Sequence, residues 1–306
     1  MLDIFKKWSR ELFSDEEAVL LILLLGAGLA LVLTLGEVLA PVIGALIIAF
    51  LLQGMLNRLT LLGTPRWVAL ILTYSFFIGL IVISLLFLLP LIWQQLGNLF
   101  NELPGMITAV QKGAVNLQAS YPDLISEAQL KTWGTEISGE LSKLWQSVLS
   151  FSITSLPNVF AFGIYIILVP LLVLFLLKDK DQMSQWALSF LPEDRPLLNR
   201  IGSEMNQQVA NYARGKAIEI VIIGTASFIV FSALDLRYAA LLGLLVGLSV
   251  VVPYIGAVAV TLPVALVGFF QMGLSTDYLI LMCAYMAIQV LDGNVLVPIL
   301  FSEAVN

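Results

Sequence analysis

Ala18–Leu56 reads AVLLILLLGAGLALVLTLGEVLAPVIGALIIAFLLQGML, and Glu37 is its single charged residue. An apolar run of roughly 18 residues or more is the mark of a membrane-spanning helix, because lipid leaves every backbone polar group to be satisfied within the segment itself. Gly36 and Glu37 divide the run into Ala18–Leu35 and Val38–Leu56, each close to the ~20 residues that a crossing needs. So short a connection predicts a tight antiparallel hairpin of two spans. Lys6, Lys7 and Arg10 precede the run as they would in a secretory signal. It is longer than a signal's apolar region, lacks a small-residue cleavage site and is followed by further spans, so it reads as a retained first helix.

Composition agrees along the whole chain: 306 residues, 59% hydrophobic and 12% charged, with a mean hydropathy of +0.98. The class is an all-α polytopic membrane protein, whose lipid contacts are its first partners. Zero histidines remove the commonest metal ligand and the usual general base, which excludes zinc hydrolases and Ser-His relays. Cys283 stands alone in an apolar run, so neither an intrachain disulfide nor a cysteine metal pair is expected. A net charge of −6 provides no basic field for nucleic acid. With no G-x-S-x-G, H-E-x-x-H or G-x-G-D pattern and no ATP-binding motif, neither an enzyme nor a cofactor is expected.

Five regions follow. Residues 1–93 hold the N-terminal segment and three spans, the third from Trp67 to Trp93 with interfacial tryptophans at both ends and Pro90 near its close. Residues 94–150 form an amphipathic helical layer in which Leu130, Trp133, Ile137, Leu141, Leu144 and Val148 recur at three to four residues. Residues 151–177 contain the fourth span, Pro157–Leu177, with Pro170 inside it. Residues 178–216 are a second amphipathic region, with Leu197, Ile201, Met205, Val209 and Tyr212 on one face. Residues 217–306 carry the spans Ala217–Leu234 and Ala239–Val252 and two broken segments. About seven hydrophobic helical segments and two amphipathic regions result.

Basic residues near span ends set the orientation. Lys6, Lys7, Arg10, Arg58, Arg66, Lys178, Lys180, Arg195, Arg200, Arg214 and Lys216 fall on one side, and Lys112, Lys131, Lys143 and Arg237 on the other. The asymmetry predicts a cytoplasmic N-terminus. Nothing basic follows Arg237, so the rule is silent on the last third.

That third carries the candidate site. Pro253, Tyr254, Gly256 and Pro263 make Tyr254–Gln271 either a kinked span or a re-entrant hairpin. Tyr278–Phe301 is interrupted by Gln289, Asp292, Gly293, Asn294 and then Pro298, the pattern of a discontinuous helix. Freed backbone and half-helix ends at membrane depth line polar sites, and an intramembrane carboxylate is costly enough to require a reason. Gln289, Asp292, Asn294, Pro253, Tyr254, Gly256, Pro263 and Gln271 are therefore assigned to a substrate or ion path. Capping of two half-helices by Asp292 and Asn294 is the structural alternative. Pro41, Gly44, Gly215, Gly243, Gly247 and Pro298 are candidate hinge or packing positions, with Gly243-x-x-x-Gly247 suited to close helix approach. Glu219 is a lesser ion-site candidate, since Arg214 and Lys216 nearby fit an interfacial pair. Pro41-Val-Ile-Gly-Ala45 recurs as Pro253-Tyr-Ile-Gly-Ala257, an echo that an inverted repeat would produce.

Several of these segments together resemble the autoinducer-2 exporter family, and most closely its PerM-like permease branch. They are Phe175–Met183, Glu204–Gln208 with Asn211-Tyr212 and Arg214-Gly215-Lys216, Val252–Ala257, and Gln289–Pro298, in collinear order with the Arg10, Phe13 and Ser14 region. The resemblance implies a bacterial inner-membrane homo-oligomer that exports a small polar solute or exchanges cations for protons. It carries over Gly215, Pro253, Gly256 and Pro298 as motif positions and Gln289, Asp292 and Asn294 as the polar break. Members continue past the proline motif into one more hydrophobic helix, whereas this chain ends at Ser302–Asn306, so that last helix is expected to be missing. The expected function is secondary transport by alternating access. Sodium/proton antiport and a non-transporting scaffold are the alternatives.

Overall fold

The computed structural model describes residues 16–120, 139 and 156–305. Among them the structure is helical without strands, as the composition requires. Five helices are long and apolar enough to cross a membrane, and Gly163–Lys178 and Ala239–Ser249 are shorter apolar helices. The Leu130–Val148 pattern and the basic N-terminal cluster lie outside the described residues.

The chain forms two units. The first draws on residues 1–79, 163–215 and 303–306, and the second on residues 80–162 and 216–302. Helix α1, Glu16–Leu61, opens the first unit and corrects the expected hairpin. It continues as helix through Gly36 and Glu37, with a kink at Leu35, whose φ of −118° and ψ of 16° lie off helical geometry. Helix on both sides of Leu35, with no turn residues between, makes this a kink and not a reversal. Two runs of span length thus need not be two antiparallel spans when nothing between them stops the helix. The second half of α1 buries Ala45, Ala49, Leu52 and Leu56, a stripe at helical spacing whose alanines allow close approach. Its first half is lipid-ready, with Leu23, Leu29 and Leu33 exposed.

Arg66–Ile83 is α2, which buries Ala69, Thr73 and Phe77. Leu156–Lys178 is α4, with Pro170 inside; Tyr74 Oη donates to the Pro170 carbonyl at 3.4 Å. Lys180–Leu188 is α5. Pro196–Ala233 is α6, which merges the second amphipathic region with the span that follows it. Met205, Val209 and Tyr212 of the predicted stripe remain exposed, while Leu198 and Ala210 are buried instead. In the first unit the Leu198 amide donates to Glu17 Oε2 at 3.1 Å, tying the start of α6 to the start of α1.

The second unit begins with a π turn, Ser84–Leu88, and continues as α3, Leu89–Ser120. After α6 come α7 (Ala239–Ser249), α8 (Ile255–Met272) and α9 (Thr276–Leu291), then a second π turn, Asp292–Leu296, and α10, Val297–Val305. Its core gathers Phe231, Leu242, Val246, Val264, Leu281 and Tyr285. Of the expected span Ala239–Val252, helix α7 covers 11 residues, about 16 Å and shorter than a ~30 Å core, yet it runs back along α6 from the Arg237 loop to Lys216, which bonds the Val250 carbonyl. Most of α7 is buried in the core. A Cβ on Gly243 would lie 2.9 Å from Phe228 Cα, and one on Gly247 2.8 Å from Gly224 Cα. The small-residue spacing is therefore what lets the backbones of α6 and α7 meet.

Tyr254–Gln271 is not re-entrant, because Ile255–Met272 is continuous helix around Pro263. The expected discontinuity at Asp292 is likewise a widening and not a break. In both π turns the amide after the turn bonds five residues back, Leu89 to Ser84 and Val297 to Asp292. A proline follows at once, Pro90 and Pro298. Proline has no N–H and its ring crowds the carbonyl four residues earlier, so the helix spreads by one residue and stays continuous. The Pro41 and Pro253 echo has no shared conformation: Pro41 is inside α1, whereas Tyr254 turns the chain with φ +62°.

Candidate functional site

Lys216 and Glu219 are three residues apart on α6 and so share a face. The ammonium lies 3.0 Å from Glu219 Oε1 and 2.9 Å from Oε2, with the two side chains only 13% and 2% exposed. Lys216 also donates to the Val250 carbonyl at 2.9 Å and sits 5.4 Å from the Phe301 ring centroid. That carbonyl lies just past the end of α7, where helical carbonyls lack intrahelical partners and a cation is favoured. The lysine thus joins α6, the end of α7 and α10.

The turn from α7 into α8 follows directly on the Val250 carbonyl. Gly256 is obligatory there, since a Cβ would lie 1.8 Å from the Ser249 carbonyl oxygen. Pro253 and Tyr254 shape the turn but stay outside the cluster, with Tyr254 fully in the open.

Asp292 begins the second π turn and lies within electrostatic range of both Glu219 and Lys216. Asp292 Oδ1 and Gln289 Nε2 are buried without a hydrogen-bond partner. Buried polar groups normally find partners, so two orphans beside a buried ion pair mark a place prepared for something polar. Formal charges of +1, −1 and −1 leave one negative charge, which a proton or monovalent cation neutralises. From sequence alone Glu219 is a lesser candidate, an interfacial carboxylate with Lys216 as its neighbour. The available signal was position: a carboxylate opening a span, one turn after a lysine.

The remaining candidates are dispersed. Asn294 Nδ2 donates to the Val290 carbonyl at 2.9 Å, four residues back along the helix, and is exposed. Pro263 lies mid-helix near a polar node in which Thr261 and Tyr285 hydroxyls meet at 2.9 Å. Gln271, at the other end of α8, accepts from the Arg237 amide at 2.7 Å and donates to the Asp235 carbonyl at 2.6 Å. It staples a loop in which Asp235 and Tyr238 both adopt positive φ. Arg237 pairs with Glu102 at 3.3 Å. Gly44 has open space around it, unlike Gly243 and Gly247; Pro41 and Gly215 are buried, and Pro298 is exposed. Among the described residues no cluster of three or more metal-type ligands occurs.

Comparison with known proteins bears on the whole chain. A family profile described as AI-2E family transporter matches residues 19–306. The chain is 39% identical over all 306 residues to PerM of Escherichia coli (strain K12), a candidate permease, covering 87% of that protein. It is 31% identical over 255 residues to YueF of Bacillus subtilis (strain 168), a candidate transport protein, covering 79% of this chain and 66% of the relative. The AI-2 transport protein TqsA of Escherichia coli (strain K12) is 25% identical over 268 residues, 86% of this chain and 73% of TqsA.

Proposed function

The chain belongs to the AI-2E transporter family, and from that premise we propose that this multi-pass membrane protein is a secondary transporter of the bacterial inner membrane. It exports a small polar solute, an autoinducer-2-like signal or related metabolite, by alternating access coupled to an ion gradient. Its N-terminus is cytoplasmic and it works as a homo-oligomer. The observation that carries the reading is the Lys216, Glu219 and Asp292 cluster. Ionisable groups at membrane depth are expensive, and a site of net charge −1 beside orphaned polar atoms has a use for a neutralising cation. A helix able to alternate between α and π spacing at Asp292 provides two packings of the same segment, which is what a shift between two access states requires.

The same charge count favours a second reading, cation/proton antiport, in which the neutralising ion is itself the cargo. Sealed proteoliposomes separate the readings. Gradient-driven uptake of small polar metabolites, with proton and sodium dyes alongside, is expected for wild type and is expected to vanish in Asp292→Asn and Glu219→Gln with unchanged size-exclusion profiles. Dye responses without metabolite movement would favour antiport. No flux of any kind from the wild-type chain would sink both readings and leave a scaffold.

A further inference from the structure

A cavity of about 410 Å³ in the first unit lies between the end of α1, the α1–α2 turn and the start of α5. Gln53, Asn57 and Thr60 supply amide and hydroxyl groups to its wall, Arg66 and Lys180 supply cations, and Asp181 is its one carboxylate. Arg66 and Asp181 are paired at 2.6 Å, which leaves Lys180 as excess positive charge in the wall. Outside the cavity wall, a further cation packs on the same turn of α1. The Arg214 guanidinium packs on Gly54 so closely that a Cβ there would lie 3.0 Å from Nε. That Nε is buried and has no acceptor. Two cations face one carboxylate in the wall, and the chemistry that would balance them is an oxyanion.

The surroundings indicate where the oxyanion comes from. The α1–α2 turn exposes Leu61 and Leu62 at 87% and 82%, and Trp67 at 68%. Its reversal rests on Gly63, whose φ of +91° favours glycine. Bare leucines and an interfacial tryptophan beside arginine and lysine belong at the boundary between hydrocarbon and headgroups. We infer that this cavity binds the phosphate of an anionic phospholipid, with the amide and hydroxyl wall receiving a hydroxyl-bearing headgroup. The phosphodiester sits against Arg66 and Lys180, and the acyl chains leave past Leu61, Leu62 and Trp67. Phosphatidylglycerol has the matching chemistry, a net negative charge and free headgroup hydroxyls, whereas in phosphatidylcholine a quaternary ammonium cancels the phosphate charge and the headgroup has no hydroxyl.

The test is lipid retention by the purified full-length protein in mixed micelles, read by native mass spectrometry. Wild type is expected to retain phosphatidylglycerol over phosphatidylcholine by about tenfold or more, given the attraction of each basic residue for an anionic lipid. The preference should weaken with added salt and survive added inorganic phosphate. In Arg66→Gln/Lys180→Gln it is expected to fall to about twofold or less. Equal retention of the two lipids by wild type would overturn the site, as would an undiminished preference in the double variant. Displacement of phosphatidylglycerol by inorganic phosphate would overturn the lipid source in favour of a soluble anion. Should the double variant not give a single size-exclusion peak, the wild-type lipid preference and its response to phosphate decide the matter alone.

Discussion

At the scale of single residues, the buried ion pair makes an asymmetric prediction. Lys216→Met leaves Glu219 charged and without its counterion in a closed pocket, a loss of about 3–5 kcal/mol. Lys216→Met/Glu219→Met removes both charges together and should recover most of that loss, to within about 1–2 kcal/mol of wild type. Thermal unfolding of the two variants in detergent compares them directly, and equal losses would mean that the pair is not buried in solution. Tyr238, in the loop between α6 and α7, gives a second test. Burial, then the neighbouring Glu102 carboxylate, push its phenol from the ordinary 10.0 up to about 12, against the opposing pull of Arg237. Folding therefore favours the neutral phenol. Its contribution to stability is intact below pH 10 and drains away as pH rises from 10 through about 12. An ultraviolet phenolate titration of wild type minus Tyr238→Phe should place this step near 12, and a step at 10 would refute it. The Lys216–Glu219 pair also shows where a linear reading ends. Spacing alone puts lysine and glutamate on one face, but only packing against Val250 and Asp292, 34 and 73 residues away from Lys216 and Glu219 respectively, turns an interfacial pair into a buried one.

At the scale of elements, two glycines of the last third have opposite duties. Gly256→Ala forces a methyl into the Ser249 carbonyl and is expected to cost about 3 kcal/mol, at or above the usual range for overpacking. Gly293→Ala meets nothing within 4 Å and should be neutral or stabilise the second π turn by about 0.5–1 kcal/mol. Thermal melts of the two proteins side by side decide this, and comparable losses would show that the π turn is packed from outside. Prolines and glycines were legible as places where an ordinary α ladder must change. What the ladder changes into was not legible, because a turn, a break and a one-residue widening all relieve a proline, and neighbouring helices choose among them. Pro253 with Tyr254 yields a turn, and Pro298 with the preceding Asp292–Leu296 yields a π turn.

For the molecule as a whole, class and number of apolar segments were legible because lipid imposes them on composition. The sidedness of the last third was not, for want of basic residues beyond Arg237. Here α8 supplies the missing ruler. Its 18 residues span about 27 Å, close to the hydrocarbon thickness, between Tyr254 and Leu274, both openly exposed. In a Cys283→Ser background, Tyr254→Cys should react with an impermeant maleimide only after cells are permeabilised, and Leu274→Cys in intact cells. Labelling of both from one face would refute α8 as a crossing. A larger conflict of lengths belongs to α1, whose 46 residues extend about 69 Å. Its apolar stretch is nearly twice as long as a bilayer's ~30 Å interior, and tilting alone would demand about 60°, beyond the ~40° at which spanning helices stop. Hydrophobic mismatch on this scale must be absorbed by departure from a straight line, and Leu35 is the residue already off the helical path. The rod has one joint, set where the slab would otherwise run out of thickness.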